Sequence, residues 1–150
     1  MISEAAVLRR YPHPVSRVFQ AWTRVEHLEQ WFRPYDEVAL TVEFFEFREG
    51  GGYAFRYTWP GNVFPVSGRF LTVQPEQTLI FTWTPHEPDP DAGKETMVSV
   101  FFRVLGVAET EVEVRHTLFP DESMRQRHAD GWCATLERLG RCLEAPPTNL

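Results

Sequence analysis

The sequence predicts an α+β fold in which a curved antiparallel sheet is closed by one long C-terminal helix. Three observations lead there. The hydrophobic period is two from about residue 37 to residue 117. A single long helical stripe follows it, and one short strand and two short helical runs precede it. Consecutive strands joined by short turns favour a meander of six to seven strands, which must curl for the helix to bury its stripe on the concave face.

Residues 4–11 (EAAVLRRY) read as the first strand. His13-Pro14 opens a helix, because proline's missing N–H is no loss in a first turn. Val15, Val18, Phe19 and Trp22 then share one apolar stripe. Val25, Leu28, Trp31 and Phe32 make a second short helix that Pro34 ends. Val38, Leu40, Val42 and Phe44 alternate with more polar neighbours before the turn at Gly50-Gly51-Gly52. Tyr53, Phe55, Tyr57 and Trp59 alternate on the next strand, which turns at Pro60-Gly61-Asn62. Val63 to Val73 is a third run with a bend at Gly68, and Gln74-Pro75-Glu76 turns the chain again. Leu79, Phe81 and Trp83 mark the fourth run, followed by a Pro-rich loop from Pro85 to Gly93. Val98, Val100, Phe102 and Val104 form the fifth. In the last run Val112, Val114 and His116 take one face, while Glu111, Glu113, Arg115 and Thr117 take the other.

Pro120-Asp121 ends the sheet, and a helix runs from about Glu122 to Glu144. Its stripe is Ala129, Trp132, Cys133, Leu136, Leu139 and Leu143, with Arg125, Arg127, Glu137, Arg138 and Arg141 largely off it. Ala145-Pro146-Pro147 cannot continue a helix. No repeat or linker divides the chain, so residues 1–150 form one domain.

Composition narrows the function. Apolar residues make up 43% and charged residues 24%, near the globular average, which excludes a disordered chain. The net charge is −6, Lys94 is the single lysine and there is no basic run, so nucleic acid is excluded as the main partner. No 18-residue apolar stretch offers a membrane span. The start MISEAAVLRRYPHP lacks a basic-then-apolar signal, so a cytoplasmic location is expected. Cys133 and Cys142, nine residues apart on one helix, fall on opposite faces and cannot pair; they read as small core or boundary residues. The 12 Phe, 5 Trp and 4 Tyr exceed what a minimal core needs, which leaves a filled aromatic core or an aromatic-lined cavity.

Few residues carry chemistry. Ser67 sits in PVSGR, not in a nucleophile elbow. The five His have no HxxxH or HExxH spacing, so no metal and no cofactor is implied. Gly50-Gly51-Gly52 lacks the spacing and following helix of a phosphate cradle and reads as a hairpin turn. Glu43 and Glu46 lie among phenylalanines, where one facing inward would suit acid/base work. Arg56, Arg69 and Arg103 alternate with apolar positions and belong on a solvated face. His116 faces inward, and the favoured reading is a structural histidine bonded to backbone or to a carboxylate near the first helices; the other reading is a polar anchor in a pocket.

Five stretches and their order, RVFQAWTRVEHLEQWF (17–32), REGGGYAF (48–55), SGRFLTVQPEQTLIFTW (67–83), TEVEVRHTLFP (110–120) and GWCATLERL (131–139), resemble the START/Bet v 1-like (SRPBCC) helix-grip superfamily. Within it they resemble the small proteins related to the C-terminal domain of activator of Hsp90 ATPase. The resemblance implies a cavity between the long helix and the sheet. Trp132, Leu136 and Leu139 would form one wall, and Tyr53, Phe55, Tyr57, Phe81, Trp83, Val100 and Phe102 the other. Trp22, Trp31 and Phe32 would stand at the entrance, and His116 would be an inward polar group. The function expected is non-catalytic binding of a small hydrophobic or amphipathic molecule. Two alternatives stand beside it: partnership with an Hsp90-type chaperone in a stress response, and a polyketide cyclase- or hydrolase-like enzyme. Monomer and homodimer are both open.

Overall fold

The computed structural model describes residues 4–145. Pro146 and Pro147, expected to stop the last helix, and the first three residues lie outside the described residues. The elements are β1 (Ala5–Tyr11), α1 (Val15–Gln20), α2 (Val25–Trp31), β2 (Ala39–Phe45), β3 (Gly52–Trp59), β4 (Asn62–Gln74), β5 (Thr78–Pro85), β6 (Thr96–Gly106), β7 (Glu109–Thr117) and α3 (Glu122–Glu144). The seven strands form one sheet in the order β1-β7-β6-β5-β4-β3-β2, with every pair antiparallel. Thus β2 to β7 are the expected meander, and β1 adds to the free edge of β7. The link from β1 at one edge to β2 at the other is the α1–α2 pair, which crosses the concave face with α1 on β6 and β7 and α2 beside β2.

Alternation fixes what is inside. Val98, Val100, Val112, Val114 and His116 are fully buried on β6 and β7. Their outer neighbours pair in water, with Arg103 Nη2 at 2.7 Å from Glu113 and Arg115 Nε at 3.0 Å from the same carboxylate. On β4, Gly68 is required by close approach: a Cβ there would stand 2.0 Å from the Thr82 carbonyl and 2.6 Å from the Tyr53 ring.

Four expectations shift. The register breaks between Val42 and Phe44, which makes Glu43 an extra residue and reverses the parity of the strand. Phe44 is therefore 49% exposed, while Phe45 and Phe47 pack on the core. Val104, though still in register opposite Thr110, lies near the end of β6 and is exposed. Cys133 is exposed rather than part of the α3 stripe, and Cys142 is half-buried. Arg138, read as lying off the stripe, is buried: it donates to the Arg33 carbonyl at 2.6 Å and pairs with Asp36.

α3 begins where the sequence indicates. The Asp121 carboxylate accepts the Met124 N–H at 2.8 Å and caps the helix. Trp132, Leu136, Leu139 and Leu143 face the main core, and Met124 joins Ala5 and Phe119 in a smaller cluster. Tyr11 donates to the Leu136 carbonyl at 2.8 Å and ties α3 to β1. Among the described residues no helix is long and apolar enough to cross a membrane.

Candidate functional site

One end of the helix–sheet interface is unfilled. A cavity of about 340 Å³, open on one side, lies between the N-terminal half of α3, the β3–β4 hairpin, the end of β5 and two loops. Phe32, Tyr57, Trp83 and Trp132 form its inner wall, with Phe64, Val66 and Thr135 beside them. Pro34, Tyr35 and Val38 come from the α2–β2 loop. Asp89, Pro90 and Asp91 come from the β5–β6 loop, and Arg127, His128 and Gly131 from α3. Tyr35 and Trp59 meet at the rim, ring centroids 5.3 Å apart, each nearly half exposed.

The space exists because the side chains around it are held elsewhere. Tyr57 donates its hydroxyl to the Phe32 carbonyl at 3.0 Å, and burial raises its pKa, so it stays a neutral phenol. Gly131 adds no side chain from α3; the nearest atom to a Cβ there would be Pro34 Cβ at 3.9 Å. The α2–β2 wall is clamped from both sides, by Arg138 and by Arg33, whose guanidinium donates to the Asp36 and Val38 carbonyls at 2.7 and 3.0 Å.

Of the residues expected to line a cavity, Phe32, Tyr57, Trp83 and Trp132 meet at this one. Trp22, Tyr53, Phe55 and Phe81 instead surround a second space of about 20 Å³ deeper in the sheet, which Phe32 also borders. Trp31, Val100, Phe102, Leu136 and Leu139 are packed in the core. The indole N–H groups of Trp22 and Trp83 are buried without a hydrogen-bond partner.

His116 is the centre of a buried relay. Trp132 Nε1–H donates to its Nδ1 at 3.1 Å, and its Nε2 lies 2.6 Å from Thr96 Oγ1. Since Thr96 donates its hydroxyl to the Trp83 carbonyl at 2.9 Å, the imidazole is neutral with its proton on Nε2. Desolvation, then the nearby His128, holds its pKa well below the usual imidazole range. Its partners are thus a tryptophan and a threonine rather than a carboxylate, and the relay fixes Trp132 and Trp83 in the cavity wall.

His128 lies beside it and reaches the cavity. Its Nδ1 is 2.9 Å from the Met124 carbonyl and must donate, which leaves Nε2 as an acceptor. Burial depresses its pKa despite that bond. Asp91 is buried and meets Arg127 and Lys94; Arg127 also donates to Ser123 Oγ at 2.6 Å.

Other candidates sit outside this space. Ser67 Oγ is 2.7 Å from His86 Nε2, yet neither borders the cavity. Glu43 is exposed and pairs with Arg56 at 3.2 Å, and Glu46 is exposed beside Arg48 at 3.6 Å. Among the described residues no three His, Cys, Asp or Glu side chains gather as a metal site. The loop-borne part of the lining, Pro34, Tyr35, Asp89, Pro90 and Asp91, carries no periodic signal. Gly131, inside a 23-residue helix, was the one cue that α3 leaves room there.

The fold matches solved structures. Protein CV1439 from Chromobacterium violaceum is similar with a TM-score of 0.85 at 19% identity, covering 96% of this chain and 99% of that one. A protein from Arthrobacter aurescens gives 0.84 at 22% identity, covering 98% and 89%. The AHSA1 protein from Silicibacter pomeroyi gives 0.81 at 23% identity, covering 93% and 96%. No curated protein matches the chain. The family described as "Activator of Hsp90 ATPase homolog 1-like protein" matches residues 12–144. With that match over nearly all of a helix-grip fold, the chain belongs to the activator of Hsp90 ATPase homolog 1-like family.

Proposed function

We propose that the protein binds a small hydrophobic or amphipathic molecule in the cavity between α3 and the β3–β5 end of the sheet, without covalent chemistry. The observation that carries this is the unfilled, aromatic-walled space of about 340 Å³, at the lower end of the range that holds small ligands. Burial of apolar ligand area there contributes roughly 25 cal/mol per Å² before the costs of association. The site residues of this reading are Phe32, Tyr57, Trp83 and Trp132 with the rim pair Tyr35 and Trp59. A second reading, docking to an Hsp90-type chaperone, is favoured by the family match alone. Stimulation of a cognate chaperone's ATPase by this protein would support it, and none at excess protein would remove it.

Thermal unfolding against a panel of fatty acids, aromatic polyketides, sterols and flavonoids tests the first reading. A ligand at 100 times its dissociation constant adds about 2.7 kcal/mol, a shift of several degrees in a domain of this size. The control is Gly131→Leu. Position 131 has space for a Cβ, and leucine is the better helix former by up to about 1 kcal/mol, so the variant remains folded with its side chain in the cavity. A chemically coherent set of hits that Gly131→Leu abolishes is expected. A flat panel, or hits that Gly131→Leu leaves unchanged, would overturn the site.

A further inference from the structure

We propose that the cavity selects an apolar or aromatic molecule carrying a protonated amine, recognised by Asp89 and the aromatic faces around it. This rests on the binding reading above and names its ligand class. The argument is an inventory of polar atoms. Four of the donors at the wall are engaged, Tyr57 O–H with Phe32, His128 Nδ1–H with Met124, Trp132 Nε1–H with His116, and Arg127 with Asp91 and Ser123, while the neutral Trp83 indole N–H has no partner. What remains for a ligand is mostly acceptor: the Asp89 carboxylate, His128 Nε2 and the Tyr57 oxygen, with the Thr135 hydroxyl able to serve either way.

Charge points the same way. Asp89, Asp91 and Arg127 are the charged groups of the lining. Arg127 is matched by Asp91, and the adjoining Lys94 also bridges Asp91 and Asp121, each at 3.4 Å. Over this cluster the acids outnumber the bases by one, and Asp89 is the acid with no cationic partner among the ion pairs. One of its oxygens, Oδ1, accepts the Asp91 N–H at 2.7 Å; the other is free for a ligand. A carboxylate ligand would meet this net negative charge with no charged donor but the outer edge of Arg127. An ammonium would meet a carboxylate and the ring faces of Tyr35, Tyr57, Trp59 and Trp83, which attract cations.

The test uses three probes on one apolar body: 2-(naphthalen-2-yl)ethylamine, 2-(naphthalen-2-yl)ethanol and 2-naphthylacetate, titrated by calorimetry at pH 7. The amine is expected to bind about 10-fold more tightly than the alcohol, and the carboxylate more weakly than either. Asp89→Asn keeps the oxygen that accepts the Asp91 N–H and removes the charge. It is expected to erase the amine's advantage and leave the alcohol unchanged. If the alcohol binds and the amine gains nothing, or if Asp89→Asn weakens all three alike, the inference fails while the cavity reading survives. If the carboxylate binds best, Arg127 governs the site and the inference fails. If none of the three binds, both fail.

Discussion

At His116 the sequence places an ionisable ring where three strands and α3 converge, and the structure keeps it neutral. Its Nδ1 accepts from Trp132 and its Nε2–H points to Thr96, so a second proton would have to displace the Trp132 bond in a fully buried site. The folded pKa is depressed by desolvation first and by His128 second, and that of His128 is also depressed by burial. In the unfolded chain both rings titrate near 6.5. Below that pH the unfolded state binds more protons than the folded one, so stability present above about pH 6.5 is lost as pH falls towards the depressed folded values. We expect the urea midpoint to fall between pH 7 and pH 5, and His116→Gln to flatten that slope while lowering stability at pH 7. A midpoint constant over this interval would mean that neither histidine is held neutral by the fold.

Among the elements, the α2–β2 loop is the wall of the cavity with the least regular structure and the most deliberate fastening. Arg138 reaches it from α3 through the Arg33 carbonyl and the Asp36 carboxylate, and its own side chain is only 10% exposed. Asp36 is in water and adds little on its own; the part-buried bond to the Arg33 carbonyl is the stronger tie. Arg138→Met keeps the apolar stem and leaves the Arg33 carbonyl without its donor, at a cost of about 1–3 kcal/mol. The expected signature is local: amide hydrogen exchange across residues 35–38 accelerates more than exchange in β6 and β7. Equal acceleration everywhere would show that the clamp acts on global stability alone. The same element scale shows what the sequence conceals. Alternation located the strands of the meander, and the Pro120-Asp121 break and the leucine stripe bounded α3. The parity reversal at Glu43 was hidden because a bulge adds one residue without changing composition, and it turned Phe44 outward and Phe45 inward.

For the whole molecule, the order of strands and helices followed from hydrophobic period and turn residues, since each is a local property of the chain. The position of the empty space did not. It depends on which end of the concave face α1, α2 and α3 together fail to cover, and that end is closed by loops whose residues carry no period. Aromatic residues in the same alternating pattern therefore divide between the open cavity (Tyr57, Trp83) and the deeper, nearly filled packing (Tyr53, Phe55, Phe81). That division makes the five tryptophans natural reporters. Trp59, Trp83 and Trp132 border the cavity, whereas Trp31 is fully buried with its indole N–H on the Ala21 carbonyl at 2.9 Å. The decisive measurement is a two-dimensional ¹⁵N–¹H spectrum of the indole resonances during titration with the uncharged 2-(naphthalen-2-yl)ethanol. Saturable shifts at Trp59, Trp83 and Trp132 with Trp31 unmoved are the predicted result. No shift at those three, or Trp31 moving in step with them, would contradict a ligand site at this end of the sheet.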